Sequence, residues 1–369
     1  MPDIAQNTLY LTTPGSYVAR DHLTLQVEVP VYPEALPLED RCREKAKDWR
    51  KVSIPIHHLE SLCIFGVSTI SPPALNLCWD HGVAVNYLSE FGYLQARLTG
   101  VADTSVTLRR TQFRVADDSG RRAAIARNII AGKLQNSRNS LLRAARETDS
   151  ADERARLTEA TDALARQIES LGAWQPGQLN EPGAVDVLRG SEGMGSATYF
   201  GVFALLLKQQ REEFSFTTRS RRPPRDRINC MLSFLYALVR HDCIAALTSI
   251  GLDPFVGFLH AERPNRPALA LDLMEEFRPW LADRLAVTLI NRQQIGPDDF
   301  KVREGGAVEF TEAGRKRVIT AYQQRKQEKL THPLLDQEFR LAQMPFVQAR
   351  ILARHLRGDL ADYVPLIPK

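Results

Sequence analysis

Polar and apolar positions follow two different rhythms along these 369 residues, and the change comes near residue 104. Before it, short β-rich runs occupy 8–13, 23–29, 52–56, 83–88 and 93–98, separated by turn-rich material such as Pro30 to Pro37 and Ser71-Pro72-Pro73. The stretch from Gly82 to Leu98 reads as two strands joined by a turn over Ser89 to Gly92, and one helix is predicted around Leu75 to His81. After residue 104 the apolar period lengthens toward 3.6, predicting helices over 106–117, 119–147, 151–171, 184–209, 226–250, 268–294, 311–328 and 337–357. Proline and glycine interrupt this half at Trp174 to Gly183 and again at Gly296 to Gly306, where FKVREGGAVEF predicts a small hairpin ahead of a helix capped by Thr311. Asp149 or Ser150 is placed to cap the helix that follows it, and Ala151 to Gly183 reads as a helical layer. The fold class is therefore α+β: a β-sandwich-like domain over 1–104, then an all-α domain over 105–369.

Length supports that division, since a chain of this size is about twice the usual domain. A 44% hydrophobic and 25% charged composition excludes a largely disordered or collagen-like chain. The net charge of +4 hides an asymmetry: residues 1–104 hold eight Lys and Arg against twelve Asp and Glu, and the rest hold forty against thirty-two. A polyanion-binding surface thus belongs to the helical part. The longest apolar run noted, Phe200 to Leu207, stops at Lys208, and the N-terminus lacks a basic segment followed by an apolar one. A cytoplasmic protein without membrane association is the expectation. Five scattered cysteines without a C-x-x-C pair read as reduced packing residues rather than a metal or redox site.

Three segments carry chemistry. In LRGSEGMGSATYFGVF, Glu192 lies near the beginning of a helix and shares a face with Ser196 and Tyr199, with Gly190, Gly193 and Gly195 around it. Glycine costs helix stability, so close approach of another backbone or a phosphate is expected there; the competing reading is an exposed acid favoured by the helix dipole. In GLDPFVGFLHAERPNRPALALDLMEEFRPWL, His260 ends an apolar turn, and Asp272, Glu275 and Glu276 follow on a helix whose other side is apolar. Acids on one face repel unless they are exposed, protonated or neutralised by a cation. One imidazole with two or three carboxylates forms an N/O donor set suited to Mn²⁺ or Mg²⁺; a lone histidine is also a common packing residue. In RSRRPPRDRINCMLSFLYALV, Arg219, Arg221, Arg222, Arg225 and Arg227 surround Pro223-Pro224, which holds the loop extended for phosphate contacts, with Asn229 and Ser233 on one polar strip behind it. A solvated charge run is the alternative.

Read together, the blocks RG-x-EG around Glu192, RRPP-x-D-x-x-N from Arg221 to Asn229, GLDP-x-x-GFLH from Gly251 to His260 and DLMEEFRP from Asp272 to Pro279 resemble the CRISPR-associated integrase family of spacer acquisition. The resemblance covers essentially the full chain and looks most like its subtype I-C members. It implies a homodimer formed through the β domains, bridged by a small adaptation partner (Cas two) into a hetero-hexamer that holds double-stranded DNA. It implies metal-dependent DNase activity and insertion of captured DNA into the CRISPR array, by attack of a 3′-hydroxyl on a phosphodiester. It also places the metal ligands on Glu192, His260 and Glu275, with Asp272 as a supporting acid in the catalytic set. DNA contacts fall to Arg219, Arg221, Arg222, Arg225 and Asn229. A separate iron–sulfur nuclease would trim the DNA, since this chain has no clustered cysteines. A branched-DNA repair nuclease and a non-catalytic DNA-binding scaffold are the alternatives. The apolar, proline-interrupted tail DYVPLIPK suits an extended docking segment.

Overall fold

The computed structural model describes residues 8–33, 36, 41–59, 61–89, 94–98, 106–220 and 223–368. Arg221, Arg222 and residues 90–92 of the expected turn lie outside them. The chain divides into two compact units, Met1–Asp103 and Thr104–Lys369.

In the first unit, β1 (Thr8–Leu11), β2 (Tyr17–Asp21), β3 (Thr24–Val31), β4 (Asp48–Pro55), β5 (Ser61–Phe65), β6 (Thr69–Ile70), α1 (Pro72–Asp80), β7 (Ala84–Leu88) and β8 (Leu94–Leu98) follow in order. They form two mixed four-stranded sheets, β1-β5-β7-β8 and β4-β3-β2-β6. β5 pairs in parallel with both β1 and β7, whereas β3 pairs antiparallel with β2 and β4. Val18, Leu25, Val27, Leu62, Ile64 and Val85 point into one core from both sheets, and Leu77 and Cys78 of α1 join them. Strand alternation explains the pattern in β2 and β3. β5 is buried at all five positions, and such a short continuous run carries no period by which to recognise it. Ser71 caps α1 by accepting from the Ala74 amide, and Pro72 occupies the first turn, where its missing N–H costs nothing.

The second unit contains α2 (Val106–Asp117), α3 (Ser119–Glu147), α4 (Ala151–Gly172), α5 (Pro176–Leu179), α6 (Ala184–Gly201), α7 (Arg227–Ile250), α8 (Ala268–Met274) and α9 (Arg284–Asn291). A hairpin of β9 (Phe300–Val302) and β10 (Val308–Phe310) precedes α10 (Glu312–Gln327), and a second, β11 (Lys329–His332) with β12 (Gln337–Arg340), precedes α11 (Met344–Arg357). The unit is thus helical with two small hairpins; the first matches the glycine turn expected, and the second takes residues 337–340 out of the helix predicted to begin there. Asp118, Ser150, Asp226 and Thr311 cap their helices through side-chain oxygens.

Residues 268–294 are not one helix. After α8 the chain winds as a π-helical segment over Arg278–Asp283 before α9, because Pro279 has no N–H to continue the regular ladder. α7 is long and apolar enough to cross a membrane, contrary to the reading that no such run exists; 78% of its apolar window is buried inside the unit, as in a core helix. The tail is not loose either. Asn128 and Asn136 of α3 donate to the carbonyls of Tyr363 and Leu366, and both of those side chains are buried.

Candidate active site

Three helices and one loop build the site. α3 supplies Lys133, α6 supplies Glu192, α8 ends at Glu275, and His260 comes from the loop after α7. α3 and α6 approach closely at Gly195, where an added Cβ would lie 2.2 Å from Leu134 Cδ2. That packing contact accounts for one of the three glycines. A Cβ added at Gly190 or Gly193 would meet nothing within 4 Å beyond its own helix backbone, so the expected close approach holds at Gly195 alone. Glu192 stands two turns inside α6 rather than near its beginning, which removes the helix-dipole reading, and Ser196 donates to its Oε1 at 2.8 Å.

The loop 251–267 explains the GLDP-x-x-GFLH block. α7 ends on Gly251 in the left-handed region (φ +91°). Gln112 of α2 donates to the Asp253 and Val256 carbonyls and accepts from the Asp253 amide; Arg122 and Arg189 donate to the Phe258 and Leu259 carbonyls. Gly257 permits contact with α8, since a Cβ there would be 2.8 Å from both the Ala268 backbone and Asp272 Oδ2. Asp272, fully buried, then accepts the amides of Phe258, Leu259 and His260 at 2.6, 2.9 and 2.9 Å, and the His260 ring Nδ1 at 2.7 Å.

That last bond sets the imidazole. A carboxylate only accepts, so Nδ1 carries a proton, and the neutral form of the ring has its lone pair on Nε2. Nε2 lies 3.7 Å from Glu275 Oε1. A histidine held through one nitrogen by a carboxylate, with the other presented to oxygen donors, is the arrangement metal-ligating imidazoles use.

Lys133 sits at the centre. Its ammonium is paired with Glu192 Oε1 and lies 2.7 Å from Glu275 Oε2. Arg278 NH1 meets Glu275 Oε1 at 2.9 Å. Burial pushes the Glu275 carboxyl up, but the neighbouring cations Arg278 and Lys133 outweigh it and hold the acid down at about 2. Lys133 and Arg278 were both missed in the sequence: Lys133 reads as one more polar position on a long helix, and Arg278 was quoted within DLMEEFRP without a role.

The like-charge conflict among the acids is resolved by separate partners rather than by one shared cation. Asp272 faces the loop amides and Glu275 the cations. Glu276 turns away to Gln348, Tyr363 and the Leu366 amide, where burial raises its carboxyl to about 8. Among the described residues, no three His, Cys, Asp or Glu side chains are grouped to hold one ion as they stand. The donor chemistry nonetheless fits a divalent cation: two carboxylates already gathered by one positive charge, and an imidazole nitrogen oriented beside them.

The arginine loop divides in two. Arg219 turns inward, donating to Asn229 Oδ1 and Ser233 Oγ and stacking over Tyr236, whose other neighbour is Arg278 at 4.9 Å. Asn229 is completely buried and ties Thr218, Ser220 and Asp226 together. It therefore holds the loop and has no polar atom left for DNA, contrary to the expectation. Arg225 is exposed.

Residues 9–324 match the model of the family described as CRISPR associated protein Cas1. A CRISPR-associated endonuclease Cas1 from Moorella thermoacetica is 42% identical over 364 residues, covering 99% of each chain. A Cas4/Cas1 fusion from Rhodospirillum rubrum is 32% identical over 364 residues, 98% of this chain and 57% of the fusion. Among solved structures, a casposase bound to integration product superposes with a TM-score of 0.79 at 20% identity, covering 97% of this chain and 93% of the casposase. A Cas6-RT-Cas1–Cas2 complex gives 0.76 at 23% identity, covering 100% of this chain and 36% of that one. On the family match and the full-length relative, the chain belongs to the Cas1 family of CRISPR-associated endonucleases, the integrases of CRISPR adaptation.

Proposed function

We propose that the helical unit inserts captured DNA into a CRISPR array in a reaction that depends on Mg²⁺ or Mn²⁺, held by Glu192, His260 and Glu275. The observation that carries this is the gathering of those three side chains from stretches 68 and 15 residues apart in sequence: Glu192 and Glu275 meet on one buried ammonium, and His260 Nε2 lies 3.7 Å from Glu275 Oε1. When bound, the cation supplies charge stabilisation at the reacting phosphate and a lower pKa for the attacking hydroxyl. The chain's own residues do the rest. Asp272 orients His260, Arg278 holds Glu275 ionised, and exposed Arg225 grips backbone phosphates. Arg219 and Asn229 position that loop, and Arg221 and Arg222 belong to the same proposed contact.

The partners follow the same reading. A Cas2 dimer bridging two copies that dimerise through their β units, and a separate Cas4-type iron–sulfur nuclease, are the assembly proposed for a cytoplasmic, subtype I-C protein. The Cas1–Cas2 complex and the Cas4/Cas1 fusion among the similar proteins support those choices. The test is strand joining: a labelled duplex with free 3′-hydroxyls is incubated with a repeat-bearing plasmid, Cas2 and Mn²⁺. Label joined at the repeat boundary, lost with Glu192→Gln, supports the proposal. Nicking of branched DNA without joining would assign a repair nuclease instead, and joining unaffected by Glu192→Gln would make the acids structural.

A further inference from the structure

Lys133 is a buried cation that meets two carboxylates, one of which, Glu275, it shares with Arg278. It is 6% exposed, projects from the middle of α3, and its ammonium meets Glu192 Oε1 and Glu275 Oε2. Its hydrogen bond goes to Glu192 Oε1, and its contact with Glu275 Oε2 is an ion pair at 2.7 Å. An ammonium hydrogen-bonded to one carboxylate and held to the other by charge gives up its place to another cation more readily than one bonded to both. Lysine suits this, because a compact charge on a flexible four-carbon stem can withdraw without moving the helix.

From this we infer that Lys133 is a displaceable counter-ion: it occupies the charge position between Glu192 and Glu275 and competes with the divalent cation for those oxygens. The inference rests on the metal reading of the site proposed above. Two things follow from the competition. The glutamates stay gathered when no divalent cation is bound, because one positive charge always lies between them. Cation affinity is also set below what the donor set alone would give, since entry must break two ion pairs and leave the ammonium near a new positive charge. Lys133 is thereby a positioning residue that tunes occupancy and takes no part in bond making.

The test uses the full chain and Mn²⁺ alone, read by calorimetry and by the manganese paramagnetic resonance signal at fixed ionic strength. Lys133→Gln removes the charge and leaves a polar side chain one atom shorter; Mn²⁺ should bind it at least tenfold tighter than wild type. Lys133→Arg keeps the charge and should bind no tighter than wild type. Adding Glu192→Gln should weaken binding in every background. Equal or weaker binding by Lys133→Gln, with binding still dependent on Glu192, overturns the counter-ion role and leaves the metal reading standing. Absence of any Glu192-dependent binding in all the proteins overturns both.

A second measurement needs no substitution and covers a Lys133→Gln protein that fails to fold. In wild type, reductive methylation mapped by mass spectrometry should leave the Lys133 amine protected in the absence of divalent cations. Saturating Mn²⁺ should raise its modification several-fold relative to Lys326, whose pairing with Asp242 lies elsewhere in the unit. Unchanged protection at saturation overturns the inference.

Discussion

Replacing Asp272 by Asn is the sharpest probe of how the site is held. The two carboxylate oxygens accept four bonds, Oδ2 from Phe258 and Leu259 amides and Oδ1 from the His260 amide and ring. An amide keeps one accepting oxygen and turns the other position into a donor, so one pair of donors faces an NH₂ group whichever way the amide is placed. Bonds to a charged acceptor contribute about 1.5–3 kcal/mol each, so losing two costs roughly 3–5 kcal/mol once loop relaxation is allowed for. If the NH₂ faces the ring, the imidazole escapes by moving its proton to Nε2, which removes the lone pair aimed at Glu275. Urea unfolding should show the loss directly. Strand joining should fall with it, and His260→Ala in the Asp272→Asn background should add less than it does alone, because the two share a bond. A loss below about 1 kcal/mol, or additive effects of the two substitutions, would refute the account of Asp272 as the anchor of the loop.

Other expectations follow from the same contacts. Gly257→Ala forces a methyl against Asp272 and the α8 backbone and should destabilise by about 1–3 kcal/mol, measured by the same urea titration. Glu276, raised to about 8 by burial, is protonated in the folded chain where an unfolded carboxyl is ionised; its contribution is full below the ordinary carboxylate range and is lost as pH rises through about 8. Glu276→Gln imitates the protonated acid and should flatten that decline in thermal stability. Ending the chain at Asp362 removes buried Tyr363 and Leu366, at about 1.5–3 kcal/mol for the leucine alone, and strips Glu276 of two of its three partners; urea unfolding should register at least that cost.

What could be read from the sequence was what period and composition encode. The change of rhythm near residue 104 marks the two units, and the helix limits of α2, α3 and α7 lie at or within a residue of those expected, because caps such as Asp118 and Asp226 are local chemistry. β5 escapes recognition because a fully buried strand has no alternation, and β6 because it is two residues long. Residues 268–294 look like one helix by apolar spacing, and only Pro279 hints at the π-helical break. Within the site, the acids and the imidazole stood out by residue type and block wording. Lys133 did not, since nothing local separates a lysine that points at two glutamates from one that points at water. Asn229 was assigned outward from its polar strip, yet the strip faces Arg219 and the loop it supports.

The way these parts are fastened decides which of them moves when a cation arrives. Glu192 and Lys133 lie on helices locked together at Gly195 against Leu134, and Glu275 is tied to Arg278, itself stacked on Tyr236. His260 is the one loop-borne donor, but its loop is fixed from α2, α3, α6 and α8 by Gln112, Arg122, Arg189 and Asp272. Four attachments on a loop of this length leave little backbone freedom, so the adjustment falls on the long side chains of Lys133 and the glutamates. Amide hydrogen exchange over 251–267 should accordingly be as slow without Mn²⁺ as with it, within about twofold at each measured amide. Protection that appears over this loop only after Mn²⁺ is added would mean that the cation folds the site, and the preorganisation argued from Asp272 and its neighbours would fall.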